Sequence, residues 1–245
     1  MLEKNNLKFV IIIPARYQST RLPGKPLIDI CGQSMIQRTY DRCCQALSDK
    51  DVFVATDDDR IVRHCLNNNI NVVMTPGSCK TGTDRVFEAS KKIEADVYIN
   101  VQGDEPIINP KDVKKVIETS KDNPNTIINA MCTIDEGEFN NYNIPKVVCR
   151  KNGQLLYASR AGIPTTKNME YVFAYKQVCI YAFPKKSLSD FASVSKKSSL
   201  EEVEDIEILR FLELGYDVQM VEVSNTSLAV DVLEDVEKVR EILNA

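Results

Sequence analysis

Residues 9–27 read FVIIIPARYQSTRLPGKPL and contain the clearest pattern in the chain. The first five form a short apolar run rich in β-branched residues, which is typical of a strand buried on both faces of a parallel sheet. The loop that follows carries three cations, Arg16, Arg21 and Lys25. Such a loop can wrap a polyphosphate, because backbone N–H groups and fixed cations together neutralise clustered negative charge. An ordinary solvated loop is an equally open interpretation.

Strands and helices alternate from this run to about residue 101. The patterns predict strands over residues 9–13, 52–55, 71–74 and 97–101, and helices over residues 34–46, from Asp57 or Asp58 to 66, and over 83–93. Ser34 is a candidate N-cap. This alternation is typical of βαβ units, whose right-handed crossovers produce a doubly wound sheet with its ligand crevice at the carboxyl ends of the strands.

The alternation becomes weaker after about residue 125. Strands are predicted over residues 127–132, 146–149, 155–158 and 177–183 with little helix between them, which indicates an antiparallel insertion. An acid-rich helix over residues 200–214, strands over 218–223 and 228–230, and a closing helix over 233–243 complete the pattern. We expect residues 1–245 to form a single domain, with roughly residues 135–190 as a small subdomain.

Composition restricts the classes of partner. The chain has 245 residues and a net charge of −4, which argues against broad attraction to nucleic acid or to an anionic membrane surface. No apolar run reaches the ~18 residues that a membrane span needs. Residues 1–6 lack the basic start of a signal peptide, so we expect a cytoplasmic protein. The eight cysteines have no CxxC spacing and are expected to be buried free thiols, and the single histidine, His64, does not suggest a metal site.

Acidic residues follow two of the apolar runs. Asp104, with Glu105 beside it, comes directly after the strand at 97–101, and Asp231 follows the apolar run at 228–230. Carboxylates at strand ends can bind Mg²⁺, which prefers a few carboxylates together with phosphate oxygens and water. Helix capping is the competing interpretation for both: Asp104 ahead of the helix near Lys111, and Asp231 ahead of the last helix.

Several motifs together resemble the family of CMP-Kdo synthetases, the 3-deoxy-manno-octulosonate cytidylyltransferases. They are IPARYQSTRLPGKPL at 13–27, TGTDR at 81–85, NVQGDEP at 100–106, LLYASRAGIP at 155–164 and AVD at 229–231. The resemblance runs nearly end to end. It implies a Rossmann-like doubly wound α/β fold of the nucleotide-diphospho-sugar transferase type, with a mixed sheet and the antiparallel insertion near the acceptor site. It also implies a Mg²⁺-dependent enzyme that joins CTP to an acidic sugar of the Kdo type and releases pyrophosphate, acting as a homodimer.

The resemblance also implies a role for each matching residue. Arg16, Lys25 and Asp104 would be catalytic. Asp104 and Asp231 would bind Mg²⁺, and Arg160 would bind the carboxylate of the sugar. The remaining nucleotide-binding positions would be Ala15, Ser19, Arg21, Thr81, Gly82 and Gln102, and the remaining acceptor-binding positions Gln177, Tyr181 and Glu207.

The acceptor half departs from the family pattern. Gln177 stands where the family has a histidine, and Ile208 stands where a glutamine follows the matching Glu207. A site that loses hydrogen-bond donors becomes less polar and changes its selectivity. Three hypotheses therefore stay open: a Kdo cytidylyltransferase, the same chemistry on another small acid such as a different ulosonic acid, sugar phosphate or phosphonate, and a non-catalytic nucleotide-binding homologue. The acidic helix around Glu201 and Glu204 is expected to be a solvated face.

Overall fold

The computed structural model describes residues 7–19, 21–194 and 196–244. Residues 1–6, on which the expected absence of a signal peptide rests, lie outside these ranges. The chain divides into two compact units, Met1–Lys114 with Thr226–Ala245, and Lys115–Asn225. The single domain with a subdomain near residues 135–190 stays a prediction.

To about residue 101 strands and helices alternate in the order that the sequence predicts. The strands Asp29–Ile30 and Gln33–Ser34 and the helices Glu136–Phe139 and Lys185–Ser193 were not predicted. Within the described ranges the elements are, in chain order, β1 (Phe9–Ala15), β2 (Asp29–Ile30), β3 (Gln33–Ser34), α1 (Met35–Cys44), β4 (Val52–Thr56), α2 (Asp59–Asn67), β5 (Val72–Met74), α3 (Gly82–Ser90), β6 (Val97–Val101), α4 (Pro110–Asp122), β7 (Ile127–Thr133), α5 (Glu136–Phe139), β8 (Lys146–Cys149), β9 (Leu155–Ser159), β10 (Tyr175–Pro184), α6 (Lys185–Ser193), α7 (Ser199–Glu204), α8 (Ile208–Glu213), β11 (Val218–Glu222) and α9 (Leu233–Asn244). The α/β, Rossmann-like doubly wound class is confirmed.

The first unit contains a parallel sheet in the order β6-β1-β4-β5. Its central strand β1 is buried along its whole length, as its continuous apolar sequence predicts. Because all four strands are parallel, their carboxyl ends lie at one edge of the sheet, where ligands of such folds bind. The loop after β1 and the loop after β6 therefore begin at the same edge. A separate two-stranded antiparallel ribbon, β2-β3, follows the β1 loop.

Local hydrogen bonds explain where the first helices begin. The Ser34 hydroxyl oxygen accepts a hydrogen bond from the Gln37 N–H at 3.3 Å, which confirms Ser34 as the N-cap of α1. Of the two candidate caps for α2, the structure uses Asp58, whose Oδ1 accepts from the Arg60 N–H at 2.9 Å. Side-chain oxygens at these positions satisfy N–H groups that have no partner within the helix.

The second unit contains the predicted antiparallel strands. β10 pairs antiparallel with β7 and with β8, and β8 pairs antiparallel with β9, whereas β11 is parallel to β7. The register of β10 against β7 shifts between Val178 and Tyr181, which marks a bulge in β10. A small apolar cluster of Ile134, Phe139 and Ala174 packs beside these strands.

Two predicted elements are wrong. The helix over 200–214 is broken into α7 and α8 at Asp205, which has a left-handed backbone with φ of 52°. The carbonyl oxygens of Glu204 and Asp205 accept hydrogen bonds from the Arg160 guanidinium, which stabilises the broken conformation. The strand over 228–230 does not form, because the Val230 carbonyl oxygen accepts from the Lys25 ammonium and the Val230 N–H donates to the backbone carbonyl oxygen of Asp104.

All eight cysteines are free thiols, but only Cys43, Cys65 and Cys132 are buried, so the prediction of buried thiols holds for three positions. Among the described residues, no helix combines the length and the apolar character that crossing a membrane requires.

Candidate active site

The cationic loop after β1 is held by its own backbone. The Gly24 N–H donates to the Tyr17 carbonyl oxygen at 3.0 Å, and the Ser19 hydroxyl oxygen accepts from the Leu22 N–H at 3.3 Å. Gly24 has φ of 72°, a conformation that side chains with a Cβ rarely adopt. It precedes a short 3₁₀ turn, Lys25–Leu27, with proline at its start. The loop is therefore a folded turn and not an irregular segment.

Lys25 joins the two candidate metal-binding carboxylates. Its Nζ donates to Asp104 Oδ2 at 2.8 Å and to the Val230 carbonyl oxygen at 2.8 Å, and it lies 3.4 Å from Asp231 Oδ1. Only 16% of the Lys25 side chain is exposed, against 28% for Asp104 and 41% for Asp231. Asp104 and Asp231 are 79 and 206 positions from Lys25 in the sequence, and both lie beside its ammonium group.

The two arginines of the loop differ in their surroundings. Arg21 Nη2 donates to Asp231 Oδ1 at 2.9 Å, so Asp231 faces two cations. Arg16 is exposed, and it forms no hydrogen bond or ion pair with any other described residue. Its guanidinium can therefore bind an anion without first breaking an internal ion pair.

Helix capping does not explain either acid. The helix after Asp104 begins at Pro110, and Asn109 Oδ1 accepts from the Lys111 N–H at 3.0 Å at its start. At the start of α9, Asp235 Oδ2 accepts from the N–H groups of Asp231 and Val232, at 3.0 and 3.2 Å. The carboxylates of Asp104 and Asp231 are therefore left to pair with the loop cations.

The motif at 81–85 combines a helix start with a close backbone approach. Thr81 and Asp84 form a reciprocal capping box at the start of α3, each side chain accepting from the other residue's N–H. A Cβ on Gly82 would lie 2.7 Å from Gln102 Nε2, so the Gln102 amide packs directly against the Gly82 backbone and would have to move for a larger residue. Thr81, Gly82 and Gln102, all predicted to contact the nucleotide, are thus brought together.

Gly103 fixes the backbone between Gln102 and Asp104. A Cβ at this position would lie 2.8 Å from the Pro14 carbonyl oxygen and 3.2 Å from Ile36 Cδ1. Because a real Cβ cannot approach an oxygen so closely, only glycine lets the β6 loop pass beside the end of β1. Ala15, the last residue of β1 and a predicted nucleotide contact, is buried beside this crossing.

In the second unit, the Arg160 guanidinium binds backbone carbonyl groups. Nε donates to the Glu204 oxygen at 2.6 Å, Nη2 to the Asp205 oxygen at 3.0 Å, and Nη1 to the oxygens of Tyr142 and Asn143 at 3.2 and 3.3 Å. Arg160 therefore ties the 142–143 loop to the break between α7 and α8. The predicted grip on a substrate carboxylate stays a prediction.

Glu204 and Lys146 hold the backbone of Arg160 from two sides. Glu204 Oε2 accepts from the Arg160 N–H at 2.9 Å, and the fully buried Lys146 Nζ donates to the Arg160 carbonyl oxygen at 2.7 Å. Burial, followed by the Arg160 charge, lowers the pKa of Lys146. Burial alone raises the pKa of Glu204, but hydrogen bonds from the Arg160 N–H, Ser159 and Tyr157 outweigh it and leave that pKa below its ordinary value.

Gln177 forms a hydrogen-bonded chain with the bulge in β10. Asn129 Nδ2 donates to the carbonyl oxygens of Val178 and Ile180, both at 3.0 Å, and Gln177 Nε2 donates to Asn129 Oδ1 at 2.8 Å. The two carbonyl acceptors fix the orientation of the Asn129 amide. They therefore also require Gln177 to present its NH₂ group to Asn129. The NH₂ group of the Gln177 amide therefore already has a hydrogen-bond partner within the protein.

The remaining residues predicted to bind the acceptor lie on β10 and at the start of α8. Tyr181 is buried and its ring stacks on Phe183 at a centroid distance of 5.5 Å. Glu207 is the N-cap residue of α8. The solvated-face interpretation of the acidic helix is wrong for Glu201, because this side chain is fully buried and pairs bidentately with Arg210 at 2.5 and 2.6 Å.

The described residues contain no group of three or more His, Cys, Asp or Glu side chains that could hold a metal ion. Asp104 and Asp231 form a two-carboxylate set around the Lys25 ammonium, which already occupies a cation position between them. Two carboxylates fit Mg²⁺, because this ion is usually held by one or two carboxylates with substrate phosphates and water as the other ligands.

Comparison with known proteins identifies the family. A family model described as cytidylyltransferase matches residues 10–221. The chain is 39% identical over 237 residues to the 3-deoxy-manno-octulosonate cytidylyltransferase of Escherichia coli, with 96% of each chain covered. It is 36% identical over 241 residues to that of Protochlamydia amoebophila, covering 95% of this chain and 93% of the relative. The chain belongs to the CMP-Kdo synthetase family of cytidylyltransferases.

A solved member of the CMP-Kdo synthetase family shares the fold along nearly the whole chain. That structure is a CMP:2-keto-3-deoxy-manno-octonic acid synthetase complexed with CTP. It matches with a TM-score of 0.91 at 39% identity, and covers 97% of this chain and 98% of its own. The nucleotide-diphospho-sugar transferase type of fold, expected from the motifs, is thereby confirmed.

Four residues with structural roles beside the predicted site residues of their own unit were missed from the sequence. They are Arg85, Asn129, Lys146 and Glu204. Arg85, at the end of the 81–85 motif, is buried, and it donates to Thr75 Oγ1 at 2.7 Å and pairs with Asp57 at 3.2 Å. Its place in that motif was the one available signal. The other three lie in strands or helices whose patterns predict secondary structure but not tertiary partners.

Proposed function

We propose that the protein transfers the cytidylyl group of CTP to the anomeric hydroxyl of an acidic sugar of the Kdo type, giving a CMP-sugar and pyrophosphate. The observation that carries this proposal is the meeting of Lys25, Arg21, Asp104 and Asp231 in a chain 39% identical to a 3-deoxy-manno-octulosonate cytidylyltransferase. Cations beside paired carboxylates suit a nucleotide triphosphate with its metal ion.

The loop cations would bind the triphosphate. Arg16 is free to bind an anion, while Lys25 and Arg21 would exchange their carboxylate partners for phosphate oxygens. Positive groups held in place before the reaction stabilise negative charge that develops on the α-phosphate and on the leaving pyrophosphate. Positioning then brings the acceptor hydroxyl in line with the α-phosphate, and no covalent nucleophile is required.

Asp104 and Asp231 would hold Mg²⁺. When bound, this ion supplies positive charge that offsets the charge of the α-phosphate and pyrophosphate. The carboxylates must leave the Lys25 ammonium to bind it, so the same rearrangement that frees Lys25 for phosphate frees Asp104 for the metal. Thr81, Gly82 and Gln102, with the Ala15 backbone, would contact the nucleotide on the side of the cytosine.

The acceptor acid would be bound by residues of the second unit, Arg160, Gln177, Tyr181 and Glu207. Most N–H groups of the Arg160 guanidinium donate to carbonyl oxygens of its own chain. It would therefore act on the acid mainly by keeping the 142–143 and 204–205 segments in place. Gln177 is tied to Asn129, so its Oε1 and second N–H would face the ligand.

Further expectations follow from the family. A homodimer is proposed because exposed large apolar side chains concentrate in the second unit, where Met169, Val172, Phe173 and Val203 are all more than half exposed. A cytoplasmic location and a role in lipopolysaccharide or capsule synthesis are proposed because CTP is a cytoplasmic metabolite and activated acidic sugars supply those polymers.

Pyrophosphate release with CTP and Mg²⁺ tests the proposal. Kdo, other ulosonic acids, sugar phosphates and small phosphonates should be compared as acceptors, with UTP and ATP as alternative nucleotides. Release with CTP and Kdo, and a loss of at least about a hundredfold in Asp104→Asn, are expected. Asp122→Asn, an exposed aspartate in α4, is the matched control. Release only with another acid would assign a different acceptor, and CTP binding without turnover would favour a non-catalytic homologue.

A further inference from the structure

Arg60, in the first turn of α2, lies on the ring of Tyr17 in the cationic loop. The central carbon of its guanidinium is 3.3 Å from the ring centroid. A guanidinium stacks on an aromatic face through both its charge and its planar surface, and it is the cation most often found there. The two residues are 43 positions apart, so this contact is tertiary and not a consequence of local sequence.

The guanidinium of Arg60 is itself held in place. Its Nε donates to Asp58 Oδ1 at 2.9 Å and its Nη2 donates to Asp58 Oδ2 at 2.6 Å, a bidentate pair. Asp58 also accepts from the Arg60 N–H as the N-cap of α2, and these hydrogen bonds lower the pKa of Asp58. A planar group clamped by two parallel hydrogen bonds keeps one orientation, so the surface offered to Tyr17 is fixed.

Tyr17 in turn closes the loop. Its carbonyl oxygen accepts from the Gly24 N–H at 3.0 Å, and its hydroxyl oxygen would be only 3.1 Å from a Cβ on Gly24. The residue after Gly24 is Lys25, whose ammonium reaches Asp104. The Tyr17 ring therefore packs against Gly24, the residue that directly precedes Lys25.

We propose that Arg60 is a positioning residue for the nucleotide loop, holding residues 16–19 and 21–25 in place by stacking on Tyr17. The inference rests on the proposed function, because it takes this loop as the binding site of the triphosphate. A loop that is already ordered does not have to lose conformational freedom when the nucleotide binds. Arg60 has no contact with a reacting group in this account, so its removal changes binding and not the chemical step.

Steady-state kinetics separate the two effects. In Arg60→Ala, the KM for CTP should rise about two- to fivefold, the range expected for a cation on an exposed ring, while kcat stays unchanged. Arg60→Lys keeps the charge and should recover part of the loss. Arg63→Ala is the matched control, because Arg63 is an exposed arginine on the same helix whose side chain has no hydrogen bond or ion pair to another described residue.

Hydrogen exchange gives a readout that does not depend on turnover. Amides of residues 16–25 should exchange faster in Arg60→Ala than in Arg63→Ala, in the absence of nucleotide. If both variants match the unmodified protein in KM and in exchange, the inference is overturned. An equal fall of kcat in Arg60→Ala would also overturn it, because that result places Arg60 in the chemical step. Absence of turnover in the unmodified protein would overturn the proposed function instead, and exchange would still decide whether Arg60 holds the loop.

Discussion

Replacing Lys25 by methionine should expose the two carboxylates to a divalent cation even without nucleotide. The Lys25 ammonium is 2.8 Å from Asp104 Oδ2 and 3.4 Å from Asp231 Oδ1, so it competes for the position that a metal ion would take. A full pair of unit charges at such distances is worth about 5–6 kcal/mol at an effective dielectric constant of 20. Both carboxylates are partly exposed, which reduces each pair to about 0.5–1 kcal/mol.

Two such pairs correspond to metal binding about five- to thirtyfold tighter in Lys25→Met than in the unmodified protein. Titration of nucleotide-free protein with Mn²⁺, followed by the electron spin resonance of the free ion, measures the dissociation constant directly. Lys114→Met makes the same change of charge at an exposed position of α4 and should leave the constant unaltered. If Lys25→Met binds Mn²⁺ no more tightly than the unmodified protein, the ammonium does not occupy the metal position and the reasoning fails.

Three further predictions concern stability. Gly103→Ala should lower the free energy of unfolding by about 1–3 kcal/mol, because its Cβ would overlap a β1 carbonyl oxygen, and an unchanged melting temperature would contradict this. Glu201→Gln should lower the free energy of unfolding, measured with denaturant, by about 3–5 kcal/mol, because it breaks a buried ion pair. The control Glu202→Gln, at an exposed position, should lower it little, and equal losses in the two variants would refute the prediction. Burial lowers the pKa of His64, so the unfolded chain binds its proton more readily and stability should fall as pH drops below about 6.5; the same pH slope in His64→Asn would show that another group is responsible.

The first strand and the starts of the first helices are determined by short local segments of the sequence. The run of β1 is apolar without alternation, which is typical of a strand buried on both faces. Ser34 and Asp58 carry side-chain oxygens that accept hydrogen bonds from helix N–H groups within three residues. These features need no distant partner. They were therefore predictable from short windows of sequence.

Features that depend on distant partners were not predictable in this way. The break at Asp205 follows from hydrogen bonds donated by Arg160, 45 residues earlier, and the irregular backbone at Val230 follows from Lys25, 205 residues earlier. The acidic sequence of residues 201–205 is compatible both with a solvated helix face and with a buried ion pair. The motifs indicated which residues to examine, but they did not show that the Arg160 guanidinium binds carbonyl oxygens of its own chain.

The proposed reaction joins CMP from CTP to an acidic sugar. Mass spectrometry of a reaction containing the purified protein, CTP, Mg²⁺ and Kdo tests it most directly. We expect a CMP-Kdo product formed together with an equal amount of pyrophosphate, and at least about a hundredfold less of both with Asp104→Asn. Intact CTP after incubation with Kdo and with every other acid of the panel would contradict the claim.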